Sequence, residues 1–348
     1  LEDNYQGSES NRTRNKVYNA LKQASSAEQL ETAFDELTAA PLTGNQVYQQ
    51  YTQNKMINNS LNTMLNKRDE KISGTYVNVF GSNSNTNNYN NVKGYDSGTS
   101  GVLLGRMEKI TSKTAVGGFF GYVNAEYNYK DNGKSQQITD TWILSGAVEQ
   151  KLTPNLKWTS VISYNTSDND TERKLTYNNS NTTLTGNFRS WSAGGSSSLE
   201  YKQKINNYID LKPTIGIILD YIEQSAYSEE GGTGVNADSY NGFSAKAAAG
   251  VRADFTAFQN NNHKFMIQPR ILYTYEMGDP YDSKQITMTD FVGMIGIENR
   301  TAERNDLDLG VDLQYIYKDK LSFYAGYESG VLSDDRLQTI TGGFKIMF

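Results

Sequence analysis

Few residues of this sequence could make or break bonds. Cysteine is absent, so there is no disulfide framework, no thiolate metal site and no cysteine nucleophile. Histidine occurs once, at His263. That excludes His-paired zinc sites and leaves a Ser-His-Asp triad only one residue to pass through. His263 falls in a predicted turn and reads as an exposed turn residue. The adjacent acids Asp334 and Asp335 read as solvated loop charge, and Asp306 and Asp308 as strand charge. Met266, Met277, Met288, Met294 and Met347 have no haem- or copper-ligand spacing. The GGTG run at 231–234 lacks a following Lys and helix, so it is not a phosphate loop. Asp279, Asp282 and Ser283 offer oxygens that a calcium ion could use, but they read as ordinary loop polarity. No catalytic residue, metal or cofactor is expected, and the chain is not expected to be an enzyme.

The elements behind these residues are more informative. The chain has 348 residues, 36% hydrophobic and 21% charged, with a net charge of -6. Its mean hydropathy is -0.65, and no window approaches the ~20 consecutive apolar residues of a spanning helix. A membrane β-barrel stays open, because only alternate residues of its strands face lipid. Mild acidity argues against a nucleic-acid partner, which calls for a basic stripe. The length would suit about two domains, but barrels run longer as one unit. The opening LEDNYQGSESNRTRNK is polar and holds no secretory signal, so the sequence is expected to be a mature or partial one.

Two regimes meet near residue 71. Before it the spacing is helical: Val17, Leu21 and Ala24, then Leu30, Ala33, Phe34 and Leu37. Ser26 with Gln29 three residues on forms a capping-box start, and Pro41 and Gly44 end that helix. A second helix is expected over 45–70, carrying Val47, Tyr51, Ile57, Leu61, Met64 and Leu65 among many Asn and Gln. Lys55, Lys67, Arg68, Asp69 and Glu70 carry its charges. A helix polar nearly all round is either solvated or sits in a polar cavity.

After residue 71 the period is two. In 307–317 the odd positions are Leu307, Leu309, Val311, Leu313, Tyr315 and Tyr317, and the even ones include Asp308, Asp312 and Gln314. The same alternation runs through 209–221, 243–255 and 265–276. A soluble sandwich also alternates. Here the runs are about 11–16 residues against the usual ~5–6, and Tyr, Trp and Phe gather near their ends, as in membrane girdles. Twelve strands are expected, at 71–81, 98–110, 113–128, 138–152, 155–168, 188–204, 207–222, 240–256, 263–278, 303–317, 320–330 and 338–348. Short turns alternate with long polar loops, the layout of an outer-membrane barrel. The run 286–297 is assigned to the long loop before residue 303. The inward charges are expected to be Glu126, Glu200, Asp210, Lys212, Lys246, Arg252, Asp254, Arg270, Asp308 and Asp312.

The closing TGGFKIMF alternates toward a terminal aromatic. Thr341, Gly343, Phe344, Ile346 and Phe348 resemble the signal by which bacterial barrel-assembly machinery recognises outer-membrane proteins. The order of SSAEQLETAFDELTAAPLTG, a polar helix, twelve strands, DLGVDLQYIYKDKLSFYAGYESG and QTITGGFKIMF resembles the translocator β-domain of classical (type Va) autotransporters, over about residues 16–348. The resemblance implies a membrane all-β fold: a 12-stranded antiparallel outer-membrane β-barrel with an N-terminal α-helix in its lumen. Residues 1–44 would be a linker or passenger tail with a short helix, 45–70 the lumenal helix and 71–348 the barrel. It further implies delivery of an N-terminal passenger, an adhesin or other virulence factor, to the cell surface. The long loops would lie outside and the C-terminus in the periplasm. The partners would be outer-membrane lipid, the assembly machinery, periplasmic chaperones and the chain's own passenger, with the barrel a monomer. Some autotransporters cut their passenger between two adjacent Asn residues in the barrel, which points to Asn58 and Asn59. Here that pair lies farther from Leu65, Asn66, Lys67 and Arg68 than the family pattern has it. The competing readings are a plugged porin-like channel for small solutes and an adhesin whose long loops bind partners.

Overall fold

The computed structural model describes residues 21–22, 24–66, 73–90, 92–176, 182–231, 234–289, 293–332 and 336–348. Lys67, Arg68, Asp69, Glu70, Asp334 and Asp335, and the tail 1–15, lie outside the described residues. Among the described residues, three helices at least four residues long precede the sheet. Helix α1 (Ala27–Thr38) starts at Ser26, whose side chain accepts from the Gln29 amide. Ala39 closes it in the left-handed region at φ 52°. After it come the single turn α2 (Ala40–Thr43), with Pro41 at its start, and the long helix α3 (Gln46–Asn66).

Twelve strands form the barrel: β1 (Gly74–Asn85), β2 (Tyr95–Lys109), β3 (Thr114–Tyr129), β4 (Gln136–Lys151), β5 (Leu156–Leu175) and β6 (Thr182–Tyr201). The second half is β7 (Ile209–Gln224), β8 (Tyr240–Gln259), β9 (His263–Glu276), β10 (Asn305–Tyr317), β11 (Leu321–Gly330) and β12 (Arg336–Met347). Each strand pairs antiparallel with the next, and β12 returns to β1 from Gly74↔Met347 to Asn85↔Arg336. Closure leaves no barrel edge unpaired, which a sheet needs to cross hydrocarbon.

Side chains alternate as the sequence requires. On β4, Ile138, Trp142 and Leu144 point outward and are exposed, while Gln137, Thr139, Thr141 and Ile143 are buried inside. On β10, Leu309, Val311 and Leu313 are outside, with Asp308, Asp312 and Gln314 inside. Apolar residues outward and polar residues inward invert the pattern of a soluble barrel. Above the apolar band, outer aromatics meet across strands. Trp142 packs on Phe120 and Tyr122 at 5.5 and 5.0 Å, and Trp191 on Tyr164 and Tyr221 at 5.9 and 5.3 Å.

Strands β5 and β6 run farther than the sequence reading gave them, up to Leu175 and from Thr182. Their extension projects past the aromatics, where outward Asp168, Asp170 and Glu172 are exposed. Polarity there reflects distance from the apolar band, not loss of strand. The described parts of the run 286–297 lie outside the barrel wall. Lys284–Met288 pairs with Ile295–Ile297, and together with Val235–Ala237 and Tyr227–Ser228 they make a small four-stranded sheet at the long-loop rim. That sheet, helix α1 and the tops of β2, β3 and β6 share one buried cluster around Leu37, Leu42, Tyr95, Tyr127, Phe188 and Ile286.

Candidate functional site

Helix α3 occupies the lumen. Its 21 residues span about 30 Å at ~1.5 Å per residue. The helix starts at the long-loop rim, where the Lys284 ammonium donates to Gln46 Oε1 at 2.9 Å and Gln46 Nε2 donates to Tyr227 Oη at 3.2 Å. Lower down, Gln49 Nε2 donates to Tyr129 Oη at 2.9 Å, and Asn54 Oδ1 accepts from Ser192 Oγ at 3.0 Å. The Lys55 ammonium reaches both Asp306 and, at 2.8 Å, Asp308. Near the far end Thr63 Oγ1 accepts from Arg270 Nη1 at 3.0 Å.

The expectation of a helix polar nearly all round needs correction. Met56, Ile57, Leu61, Met64 and Leu65 form an apolar stripe at helical spacing. They are buried against Tyr76 and Phe80 of β1, Leu103 and Met107 of β2, Phe119 and Val123 of β3 and Ile143 of β4. The lumen wall facing this stripe is therefore apolar, chiefly on β1–β3 with Ile143 of β4, while the rest of the β4 and β5 inner faces is mostly polar. The opposite helix face carries Asn58, Asn59, Asn62 and Thr63. Asn58 Oδ1 accepts from Ser196 Oγ at 3.0 Å, and Asn59 Nδ2 donates to Glu328 Oε1 at 2.7 Å. Small wall residues, Ser196, Ser198, Gly216, Ala248 and Gly250, stand back from this face and leave a cavity of about 130 Å³. A second cavity of about 220 Å³ opens at the short-turn end beside Lys202, Asp210 and Lys212.

Nine of the ten expected inward charges do face inward. Arg252 binds Glu200 at 3.1 Å and Asp254 at 3.0 Å, and Lys157 binds Glu200 at 3.1 Å. Lys212 pairs with Asp254, and Asp210 with Lys202 at 3.0 Å nearer the mouth. Arg270 bridges Asp312 at 2.7 Å and Glu328 at 2.6 Å. Asp308 holds Lys55, and Lys246 lines a pocket with Lys55 and Asp306. Charges this buried are tolerable only when paired. Glu126 is the correction. It points outward and is exposed, while its neighbours Ala125 and Tyr127 are buried inside. Because the β3 wall is apolar inside, polarity does not mark the inward face there.

Lys157, Glu328 and Lys345 escaped the sequence reading. The parity of β11, with Ser322 and Tyr324 inward, would have found Glu328. The buried pair Arg173–Glu229, at 2.6 Å, and buried Lys284 lie in segments read as loop. At the long-loop rim, burial pushes the Lys284 ammonium down to about 7, with Asp238 acting weakly against it. Burial also raises the Asp35 carboxyl to about 6 against the pull of Lys93.

At the C-terminus, Ile346 and Phe348 are exposed on the outer face, and Phe344 meets Phe323 there at 6.4 Å. Thr341 and Gly343 face inward. Thr341 Oγ1 donates to Asn78 Oδ1 at 3.0 Å. A Cβ on Gly343 would stand 2.3 Å from the Val77 carbonyl oxygen and 2.6 Å from the Tyr324 ring, so only glycine fits. His263 is half-buried, not a free turn residue: its Nδ1 lies 2.6 Å from Tyr315 Oη.

A closed 12-stranded wall with a helix threaded through it narrows the family. The model of the autotransporter β-domain matches residues 75–328. The chain belongs to the autotransporter β-domain family. Three solved translocators of that family are similar in fold. The translocator domain of NalP from Neisseria meningitidis superimposes with a TM-score of 0.67 at 14% identity, covering 86% of this chain and 98% of its own. The β-domain of the Bordetella autotransporter BrkA gives 0.56 at 15%, with 79% and 99% covered. The transport unit of AIDA-I from Escherichia coli gives 0.55 at 15%, with 87% and 99% covered. No curated protein sequence matches this chain. The autotransporter β-domain is a secretion domain rather than an enzyme family, and its barrel resides in the outer membrane.

Proposed function

We propose that this barrel anchors in the bacterial outer membrane and delivers an N-terminal passenger, an adhesin or other virulence factor, to the cell surface. The carrying observation is the path of α3. Its first residue, Gln46, stands at the long-loop rim and its described residues run down the lumen to Asn66, while Leu37 and Leu42 before it pack at that same rim, which fits a passenger leaving by the long-loop mouth. In this reading the long loops lie outside and Phe348 in the periplasm. The barrel acts as a monomer, brought in by periplasmic chaperones and by assembly machinery that engages the outward Phe344, Ile346 and Phe348. The porin-like alternative is weakened by a lumen filled along its length by side-chain contacts. Fusing an epitope tag ahead of residue 21 tests the reading. The tag should be cleaved by protease added to intact cells. Cleavage only after the outer membrane is permeabilised would overturn it.

The Asn58–Asn59 peptide is the place where a passenger could be released. The Asn58 side-chain nitrogen would attack its own backbone carbonyl carbon, and the bond to the Asn59 nitrogen would break. The departing amine takes a proton, and a cyclic imide remains on Asn58. What favours the site is Glu328, 2.7 Å from Asn59 Nδ2 beside the polar cavity of the lumen. Asn58→Ala should leave the tag attached to the barrel. Equal release from both proteins would exclude this chemistry.

A further inference from the structure

The five short connections share a composition that crossing a membrane does not itself require. Between the strands, residues 110–113, 152–155, 202–208, 260–262 and 318–320 hold five lysines against one acid, Asp319, with Lys109, Lys151 and Lys264 on the strand ends beside them. The six long connections hold eleven acids against six bases, and the whole chain is at -6. The short-turn rim is thus a cationic ring on an acidic protein. The same rim exposes apolar side chains: Ile110, Leu152, Ile205, Tyr208 and Phe258, with Tyr208 at 67%. Phe348 belongs to this end too, with the Arg106 guanidinium 4.6 Å above its ring. A turn meeting only water has no use for a ring of exposed Ile, Leu and Phe. Beside lysines, such residues suit an interface, where the stem lies along apolar surface and the ammonium reaches a polar layer.

We propose that the short-turn rim binds the phosphate headgroups of anionic phospholipid. Lys113, Lys204, Lys318 and Lys320, all exposed, supply the charge. Ile110, Leu152, Ile205 and Phe258 seat among the upper acyl chains, continuous with the outer apolar band. The pairing of lysine with an apolar neighbour recurs in turns all around the circumference. A lipid annulus also surrounds the barrel, whereas a docked protein would favour one side. The inference rests on the membrane-spanning barrel and not on passenger delivery, so either can fail alone.

The test uses the full chain reconstituted in phosphatidylcholine vesicles with a minority of phosphatidylglycerol. Association of spin-labelled phosphatidylglycerol and phosphatidylcholine is compared in the same vesicles. The anionic lipid should be preferred about fivefold, the factor that one cation at an anionic surface supplies. The preference should fade as salt rises above ~0.15 M, where the screening length falls below about 8 Å. The combined variant K113Q/K204Q/K318Q/K320Q should bring it close to one, and the four Lys→Arg changes should keep it. Equal association of the two lipids with the unaltered protein would overturn the proposal without any variant. So would a preference that survives the four Gln changes.

Discussion

The two halves of the lumen treat the same helix differently. On one side, from β1 to β4, the inner wall beside the helix's apolar stripe is Tyr76, Phe80, Leu103, Met107, Phe119 and Ile143, and the helix answers with Ile57, Leu61, Met64 and Leu65 at zero to one per cent exposure. Along β6–β11 the wall is Ser196, Gly216, Gly250, Arg270, Asp312 and Glu328, and the helix answers with Asn58, Asn59, Asn62 and Thr63 across a cavity. One side is a dry, close-packed contact, in which each buried side chain contributes about 1.5–3 kcal/mol. The other is a wet contact of hydrogen bonds, each worth about 0.5–1.5 kcal/mol net. The lesson is that the plug is held by one wall and merely guided by the other. A lumen built this way fixes the helix against one wall and leaves a small polar cavity beside the other.

The largest expected effect comes from removing both contacts at once. Deleting residues 1–66 should raise single-channel conductance in planar bilayers well above that of the full chain. An unchanged conductance would place the conducting path outside the space filled by α3, and the comparison of walls would lose its meaning.

Leu61→Ala separates the two walls. Leu61 has no exposed surface, and truncation of such a leucine costs about 2–5 kcal/mol. Frequent brief openings and a lower melting temperature in detergent should follow. Asn62→Ala removes only two hydrogen bonds of 3.3 Å, so its melting temperature should move far less. A larger loss from Asn62→Ala than from Leu61→Ala would reverse the assignment of which wall holds the plug.

Arg270→Met probes the wet wall where it depends on charge. It strips Asp312 and Glu328 of their shared partner and removes the donor to Thr63. Breaking a buried pair costs about 3–5 kcal/mol. The low end applies here, because the Arg270 side chain keeps 19% of its surface. Restoring the balance with Asp312→Asn and Glu328→Gln should recover part of the loss in a melt, and no recovery would mean the residue acts by packing.

The smallest effect lies at the long-loop rim. Burial holds Lys284 down to about 7, below its ordinary 10.5. Between those values the unfolded chain binds the proton and the folded cap does not, so the cap gains stability as pH rises through that window. It is weakest below pH 7. Hydrogen exchange of residues 284–288 should therefore slow, after correction for intrinsic rates, between pH 7 and pH 9. Lys284→Met should flatten the dependence, and an equal slope in that variant would assign it to another group.

Much of the fold is legible in the chain. A side-chain period of two over runs this long, short turns alternating with long ones, and apolar parity through β7–β10 specify twelve strands and their faces. They do so because each strand has one lipid-facing side, and lipid tolerates few polar groups. The Asn- and Gln-rich run before the strands marks a helix, and its described residues, Gln46–Asn66, fall within the expected span.

The tertiary structure decided what parity could not. Glu126 reads as inward by polarity, yet β3 has an apolar inner face that receives Leu61 and its neighbours, and its outward residues near the long-loop rim stand above the lipid. Only the folded barrel shows that a rule set by lipid ends where the lipid ends. Lys55 with Asp306 and Asp308, Asn59 with Glu328, and Lys284 with Gln46 join residues more than 230 positions apart. No local pattern encodes such pairings. They exist because closing the sheet places a helix from the start of the chain against strands from its end, and burial then requires each charge to find a partner there.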